Sequence, residues 1–170
     1  MKTAIIGHSG CGKSTLARYL GEQNHIPVLY LDSVYWMPGW NPRPGEEAVE
    51  IVKQFLDEQE SWVIDGTYSK MEFERRMREA DQIIFMDFNR FACLYRAVKR
   101  YFRYRGRTRE DMGEGCQEKI DAEFVWWILH EGRRKKKKAH FQNILQQYGE
   151  KSIVIKNQKQ LTEFMYREKR

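Results

Sequence analysis

The sequence predicts an α/β three-layer sandwich, in which helices cover both faces of a five-stranded parallel sheet. Five short apolar runs recur along the 170 residues without polar alternation, which is typical of strands buried on both faces. Stretches with helical spacing separate these runs, and strands that alternate with helices form right-handed βαβ units. A glycine-rich sequence ending in Gly-Lys-Ser follows the first run and opens the first helical stretch. Together these three observations define the fold class.

The predicted strands are short, and a turn or helix signal follows each of them. They are 3–7 (TAIIG), 27–32 (PVLYLD), 62–65 (WVID), 82–88 (QIIFMDF) and 152–156 (SIVIK). The predicted helices begin at Lys13 and after Pro44-Gly45, and continue with 72–80, 90 to about 105, 116–131, 137–148 and one near Gln160. No linker or repeat divides the chain, so we expect a single domain over residues 1–170.

The composition is that of a folded globular protein, with 41% hydrophobic residues. No apolar run approaches the roughly 20 residues of a membrane-spanning helix. The N-terminal apolar run is too short, and too soon broken by Gly7, for a secretory signal. Cys11, Cys93 and Cys116 have neither disulfide-framework nor CxxC spacing. We therefore predict a cytoplasmic protein that does not enter a membrane.

The net charge of +6 is concentrated in two segments. Eight basic residues lie between Arg90 and Arg109, and residues 133–138 (RRKKKK) form an unbroken run of six. Such clusters attract phosphates on a nucleotide, a nucleic acid or a membrane, although a lysine run is as often a solvated helix face. The charge predicts an anionic ligand without saying which.

The sequence GHSGCGKST, residues 7–15, matches the G-x-x-x-x-G-K-[ST] phosphate-binding loop. Its glycines let consecutive backbone N–H groups turn toward phosphate oxygens, and the helix that begins at Lys13 adds its positive end. Lys13 is expected to reach the β- and γ-phosphates, and the Ser14 hydroxyl to bind Mg²⁺. The predicted ATP-binding residues here are Gly7, Ser9, Gly10, Cys11, Gly12, Lys13, Ser14 and Thr15.

Three aspartates end predicted strands at the edge where ligands bind in open α/β sheets. Asp65, at the end of WVIDG, is the best candidate for the metal, and Gly66 leaves room for a ligand beside it. Asp32 is the best candidate for a base or orienting group on an acceptor hydroxyl. Asp87 is a weaker third candidate. Each of them can instead cap a helix or end a strand, which is a common use of aspartate.

Residues 89–111 combine arginines with aromatic side chains. Arg96 and Arg100 project from one helix face because they are spaced i, i+4. Further arginines follow in a glycine-containing stretch, and we predict a small helical, arginine-rich lid over residues 101–120. Such a lid would stabilise a transferring phosphoryl group and exclude water. The aromatic rings also suit stacking on nucleic-acid bases, although helical spacing favours core packing for at least two of them.

The sequence LDSVYWMPGW, residues 31–40, places large aromatic side chains in a connection after the second strand. Tyr35, Trp36 and Trp40 are expected to form a wall against which a flat or apolar acceptor packs. Alternatively, one or both tryptophans fill the core below the second helix.

With these segments in view, the chain resembles the bacterial DNA-topology modulation (FlaR-type) proteins, which are adenylate-kinase-like P-loop kinases. The phosphate loop, LDSVYWMPGW, VIDGTYS and RAVKRYFRYRGRTREDMGEG carry the resemblance, which covers essentially the whole chain. It implies a P-loop nucleoside-kinase-like fold, a mobile lid and transfer of the ATP γ-phosphate to a small acceptor.

The resemblance also implies roles for individual residues. Asp65, before Gly66, is similar to the aspartate that helps to hold Mg²⁺ through water in nucleotide kinases. Arg96 and Arg100 resemble the arginine pair that begins the lid and binds ATP phosphates. Asn157 and Gln158 follow the last predicted strand and fall where these kinases line the adenine.

Three departures from related kinases bear on the acceptor and the lid. Ser69 stands where adenylate kinases carry a phosphate-binding arginine, which argues against AMP as the acceptor. Val34 replaces the second aspartate of shikimate kinases, which argues against shikimate. The lid also lacks CxxC pairs, so we expect no zinc there.

Two classes of function remain open at this point. The first is a kinase that uses ATP and Mg²⁺ to phosphorylate a small nucleoside, nucleotide or metabolite. The second is a nucleic-acid-linked ATPase or regulator that uses the two basic segments to hold phosphate backbones. The first is favoured because the chain has no room for a separate DNA-reading domain and shows no helix-turn-helix signature. Nothing in the sequence predicts the oligomeric state.

Overall fold

A computed structural model of the chain describes residues 1–109 and 111–168. Position 110, in the predicted lid, and positions 169–170, in the predicted domain, lie outside the described residues. In chain order, the strands are β1 (Lys2–Gly7), β2 (Val28–Tyr30), β3 (Trp36–Met37), β4 (Asn41–Pro42), β5 (Trp62–Asp65), β6 (Gln82–Met86) and β7 (Ser152–Ile155). β3 and β4 form a separate antiparallel hairpin, and the other five strands form one parallel sheet.

The sheet has the order β2-β5-β1-β6-β7, so the strand that leads into the phosphate loop lies at its centre. Ala4 on β1 lies opposite Ile64 on β5 and Ile83 on β6. These central strands are buried on both faces, as their unbroken apolar runs predict, whereas the edge strands β2 and β7 are largely half-buried. Residues at the carboxyl ends of β1, β5 and β2 therefore share one edge of the sheet.

Eight α-helices lie within the described residues. They are α1 (Lys13–Asn24), α2 (Leu31–Tyr35), α3 (Gly45–Glu58), α4 (Phe73–Glu79), α5 (Arg90–Tyr104), α6 (Ala122–Leu129), α7 (Lys135–Gln147) and α8 (Gln158–Arg167). Residues of α3, α4 and α7 form one apolar cluster with the sheet, and residues of α1, α5, α6 and α8 form a second one. This arrangement confirms the predicted α/β sandwich.

The chain leaves the second strand earlier than predicted. β2 ends at Tyr30, and Leu31 and Asp32 belong to the short helix α2, so the prediction that Asp32 ends a strand is wrong. The Ser33 hydroxyl donates to the Tyr30 carbonyl at 2.7 Å, which turns the chain out of the sheet. Leu31 remains fully buried, which explains why the apolar pattern continues past the strand.

The arginine-rich segment is helical only as far as Tyr104, where α5 ends. The described residues between Arg105 and Asp121 form turns with two isolated bridges, so the part of the predicted lid after α5 is not helical. The predicted helix over 116–131 begins only at Ala122, where the Asp121 side chain caps it. In residues 1–109 and 111–168, no helix combines the length and apolar character needed to cross a membrane.

Candidate active site

The phosphate loop joins β1 to α1 with the backbone geometry that anion binding needs. Gly12 has φ 97°, in the left-handed region, and a Cβ there would lie 2.9 Å from the Arg96 guanidinium. The Lys13 ammonium donates to the His8 carbonyl at 3.0 Å, so it is folded back over the loop. The first N–H groups of α1 lack partners within the helix and are available to phosphate.

The other predicted loop residues surround this turn. Cys11 is fully buried beneath it, and Thr15 is exposed on α1. Ser9 accepts a hydrogen bond from the Trp127 indole at 3.2 Å. The backbone N–H of Gly7 donates to the Thr67 hydroxyl at 3.2 Å, which ties the start of the loop to the segment after β5.

Asp65 ends β5 beside the phosphate loop and is only 5% exposed. Its Oδ1 is shielded from solvent and has no hydrogen-bond partner among the described residues. Burial raises the pKa of Asp65 to about 6, while Lys13 and the Ser14 hydroxyl act to lower it. A buried carboxylate oxygen without a partner is costly, and a cation or its bound water would supply that partner.

Asp65 and Ser14 fit a magnesium ion by their chemistry. Carboxylate and hydroxyl oxygens are the hard donors that Mg²⁺ prefers, and Mg²⁺ usually takes its remaining ligands from phosphates and water. The described residues contain no group of three or more His, Cys, Asp and Glu side chains arranged to hold a metal. The unpartnered Asp65 Oδ1 is the observation that speaks for the site.

Asp32 lies in the first turn of α2, and its carboxylate meets the segment that follows β5. The Tyr68 hydroxyl donates to Asp32 Oδ1 at 2.7 Å. Burial and the charge of Asp32 raise the pKa of Tyr68 far above its usual range, so Tyr68 stays protonated. Burial by itself lowers the pKa of Lys13, but Cys11 and the carboxylates of Asp65 and Asp32 outweigh burial and raise it. Both carboxylates therefore act on the ammonium of the phosphate loop.

Asp87, the third aspartate, has local partners instead. Its Oδ1 lies 3.3 Å from His8 Nε2 and 3.9 Å from Arg133 Nη1. Burial and the charge of Arg133 lower the pKa of His8 to about 4, so the ring is neutral at pH 7 and donates to Asp87. Arg133 also donates to the Phe88 carbonyl at 2.6 Å. Asp87 thus holds a histidine and an arginine at the phosphate loop.

Arg96 and Arg100 have different surroundings although they share a helix. Arg96 donates to the Cys11 carbonyl at 2.6 Å, bonds the Gln158 amide oxygen, and stacks on Phe88. Arg100 donates to Glu118 Oε1 at 2.8 Å. Only Arg96 of the pair contacts the phosphate loop in this structure.

Asn157 and Gln158 lie where α8 begins. The Asn157 side chain accepts from the Gln160 backbone N–H at 3.0 Å and caps the helix. Gln158 reaches Arg96 across the edge of the phosphate loop. The structure therefore brings Gln158 to the loop and gives Asn157 a capping contact.

Aromatic rings line the connection after β2. The ring centroids of Tyr35 and Trp36 are 4.8 Å apart, and those of Trp36 and Trp40 are 5.6 Å apart. Tyr35 also lies 5.2 Å from Tyr68, the partner of Asp32. All three predicted wall residues are half-buried, and neither Trp36 nor Trp40 belongs to an apolar core cluster. The alternative that these tryptophans fill the core is wrong. Gly66 packs closely on Leu31, just before this wall.

The part of the predicted lid that follows α5, residues 105–109 and 111–120, is here called the lid segment, and it packs against this aromatic wall. The Trp40 indole donates to the Gln117 carbonyl at 3.1 Å, and a Cβ on Gly113 would lie 1.9 Å from the Trp36 carbonyl oxygen. Lys119 lies 5.1 Å above the Trp40 ring. Trp40 itself has φ 64°, a strained value for a residue that is not glycine. The wall and the lid segment are therefore held together.

Three residues of this site escaped the sequence analysis. Tyr68 belongs to the sequence VIDGTYS, but no local pattern marks it as the partner of an aspartate 36 positions earlier. Arg133 begins the basic run RRKKKK, yet its side chain is only 10% exposed. Trp127 belongs to an apolar helix, and its contact with Ser9 spans 118 positions. Local patterns could not reveal these long-range contacts.

The architecture is a P-loop fold: a parallel five-stranded sheet with a phosphate loop between its central strand and the first helix. Deoxyadenosine kinase from M. mycoides is similar over 98% of this chain and 97% of its own, with TM-score 0.53 and 14% identity. Shikimate kinase from Bacteroides thetaiotaomicron is similar over 97% and 94%, with TM-score 0.52 and 17% identity. An uncharacterised protein from Eubacterium ventriosum is similar over 98% and 96%, with TM-score 0.54 and 15% identity. These likenesses show the fold. No family model and no curated protein sequence matches the chain.

Proposed function

We propose that this protein is an ATP-dependent phosphotransferase that moves the γ-phosphate of ATP to a hydroxyl of a small molecule. The observation that carries the proposal is that the buried Asp65, whose Oδ1 has no partner among the described residues, ends β5 beside the phosphate loop of Lys13, with the carboxylate of Asp32 acting on the same ammonium from α2. A phosphate-binding cation, a carboxylate suited to a metal and a second carboxylate for an acceptor are the parts that phosphoryl transfer needs.

On the donor side, backbone N–H groups of residues 7–15 hold the phosphates, and Lys13 neutralises their charge. Ser14 and Asp65 would hold Mg²⁺, which when bound would offset negative charge on the phosphates. Arg96 contacts the loop directly, and Arg100 joins it when the lid over residues 101–120 rearranges. The adenine would lie near Asn157 and Gln158.

On the acceptor side, Asp32 orients the hydroxyl that attacks the γ-phosphate. Its Oδ1 already accepts from Tyr68, which leaves Oδ2 to face an acceptor. Tyr35, Trp36 and Trp40 offer a half-buried wall for a flat or apolar ligand, and Gly66 lies beside it. The lid segment contacts this wall, so its movement would control access and exclude water.

The comparisons support the class of reaction, because two of the similar structures are named as kinases of small molecules, a deoxyadenosine kinase and a shikimate kinase. The resemblance to FlaR-type proteins, within the adenylate-kinase-like kinases, points the same way. We also propose a cytoplasmic location, which suits the three free cysteines, all of which are buried.

The test is ATP turnover with panels of nucleosides, nucleotides and hydroxylated metabolites in one arm and single- or double-stranded DNA in the other. We expect one class of small acceptor to become phosphorylated. Turnover stimulated only by DNA, with steep salt dependence, would instead establish the nucleic-acid-linked ATPase. ATP turnover that requires neither a small acceptor nor DNA would contradict both the phosphotransferase and the nucleic-acid-linked ATPase.

A further inference from the structure

Arg76 is a fully buried cation on α4, with 0% of its surface exposed. Its guanidinium donates to three backbone carbonyls: those of Met71 at 2.8 Å, Gly66 at 3.1 Å and Tyr68 at 2.7 Å. Within the described part of the chain, it forms no ion pair. All of its bonds therefore go to one segment, the site segment, which we define as residues 66–71.

Burying a guanidinium without a carboxylate is expensive, because the charge loses its hydration and gains only neutral partners. The cost is visible in Arg76, since burial lowers its pKa to about 10. The three carbonyls would also be costly if they were left buried and unpaired. The planar fork of an arginine can satisfy three diverging acceptors at once, whereas a lysine presents a point charge.

The site segment contacts both halves of the proposed active site. The Thr67 hydroxyl accepts from the Gly7 N–H at the start of the phosphate loop. One residue later, the Tyr68 hydroxyl donates to Asp32. Because Arg76 bonds the carbonyls of Gly66 and Tyr68, it fixes the backbone on either side of Thr67.

We propose that Arg76 is a positioning residue that holds the site segment so that Tyr68 keeps the Asp32 carboxylate oriented for the acceptor. Arg76 does not touch the reacting atoms and acts through Tyr68. Its catalytic consequence rests on the proposed function, whereas its structural consequence, the Tyr68–Asp32 hydrogen bond, does not.

The test compares Arg76→Lys with Arg75→Lys, its matched control. Arg75 is adjacent on α4 and also bonded, but its partners are Asp57 at 2.7 Å and Glu79 at 2.7 Å, away from the site segment. Both variants keep a positive charge and are checked for folding by circular dichroism and thermal unfolding.

The first readout is independent of activity. Protein labelled with ¹³C at the tyrosine ζ carbon gives a Tyr68 resonance at neutral pH, assigned by its absence in Tyr68→Phe. Asp32→Asn shows how far this resonance moves when the carboxylate acceptor is lost. We expect Arg76→Lys to move it in the same direction and Arg75→Lys to leave it in place. An unchanged resonance in folded Arg76→Lys overturns the proposal.

The second readout uses the acceptor identified by the panel. Displacing a catalytic group by about 1 Å can lower the reaction rate by about 100-fold. We therefore expect Arg76→Lys to lower the kcat/KM for the acceptor by roughly 10- to 100-fold. The KM for ATP should change less than the acceptor kcat/KM does, and Arg75→Lys should change neither by more than about twofold. Added to Tyr68→Phe, Arg76→Lys should cost much less than it does alone, because both act through one contact. Additive effects contradict the proposal.

If Arg76→Lys does not fold, the acceptor KM is measured in Tyr68→Phe instead. This variant removes the hydroxyl that bonds Asp32 but leaves the three Arg76 hydrogen bonds in place. An unchanged acceptor KM in that variant overturns the proposal, and a raised KM supports it. If the wild-type protein phosphorylates no acceptor, the proposed function fails. The Tyr68 resonance still decides whether Arg76 positions that side chain, in Arg76→Lys or, if that variant does not fold, in Arg76→Gln.

Discussion

At the scale of single residues, Asp65 illustrates how a binding site costs stability. Its carboxylate is buried with one oxygen unpartnered, and burial raises its pKa from 3.8 to about 6. The folded state therefore binds a proton more tightly than the unfolded chain does. The stabilisation by this proton is fully present below pH 3.8 and is lost as the pH rises through about 6.

We predict that Asp65→Asn stabilises the protein at pH 7 in the absence of nucleotide and Mg²⁺. Removing the ionised carboxylate should raise the free energy of unfolding by about 1–3 kcal/mol, since each pKa unit corresponds to about 1.4 kcal/mol. Urea denaturation at pH 7 measures this difference. At pH 4, where wild-type Asp65 is protonated, the two proteins should differ much less. A variant that is less stable than wild type at pH 7 would contradict the assignment.

Lys13 is the cation that interacts with Asp65 at the phosphate loop, and its loss should remove activity. We predict that Lys13→Ala lowers ATP turnover by roughly 100-fold or more, as for other lost transition-state donors. Steady-state kinetics with saturating acceptor measures the change. Lys53→Ala, on the exposed side of α3, serves as the control and should turn over normally. Near-normal turnover of Lys13→Ala would mean that ATP binds and reacts at a site other than the phosphate loop.

At the scale of elements, the lid segment is anchored by one buried carboxylate. The Glu118 side chain is only 3% exposed and binds Arg100 at 2.8 Å and Arg109 at 2.7 Å. One of these arginines belongs to α5 and the other to the segment itself. Glu118 therefore joins the lid segment to the helix that leads into it.

We predict that Glu118→Gln loosens the lid segment, because removing the buried charge takes the carboxylate partner from Arg100 and leaves Arg109 with Asp111 alone. Limited trypsin digestion should cut after the arginines of residues 103–109 markedly faster than in wild type. Glu114→Gln, an exposed glutamate of the same segment, should digest at the wild-type rate. Equal rates for all three proteins would show that Glu118 does not hold the segment.

The aromatic wall gives a second prediction at this scale. We expect Trp36→Ala to raise the acceptor KM by roughly tenfold, since losing a large aromatic contact costs about 1–2 kcal/mol of binding. ATP binding, measured by titration calorimetry, should remain nearly intact. Trp126→Ala removes an exposed tryptophan on α6, outside the wall, and should change neither quantity. A large loss of ATP affinity in Trp36→Ala would show that the wall supports the fold of the site and does not bind the acceptor.

At the scale of the whole molecule, the sequence was a good guide to the sheet and a poor one to the connections. All five predicted strands exist, because a strand buried on both faces needs an unbroken apolar run that can be recognised locally. The helix after Pro44 also exists, and Val52 and Leu56 lie on its buried side. The turn at Tyr30 was missed because Leu31 is as apolar and as buried as a strand residue. The lid segment after Tyr104 has no periodic pattern, since its contacts are ion pairs and turns.

The sequence by itself determined the phosphate loop, the parallel sheet and the position of Asp65 at the carboxyl edge of that sheet. These features depend on local patterns: glycine spacing, apolar runs and the rule that parallel strands end together. Only the tertiary structure decided that Tyr68 binds Asp32, that Arg133 reaches Asp87, and that Arg76 holds the site segment. Such contacts depend on how helices pack across the sheet, and that packing brings together side chains whose separation along the chain carries no signal.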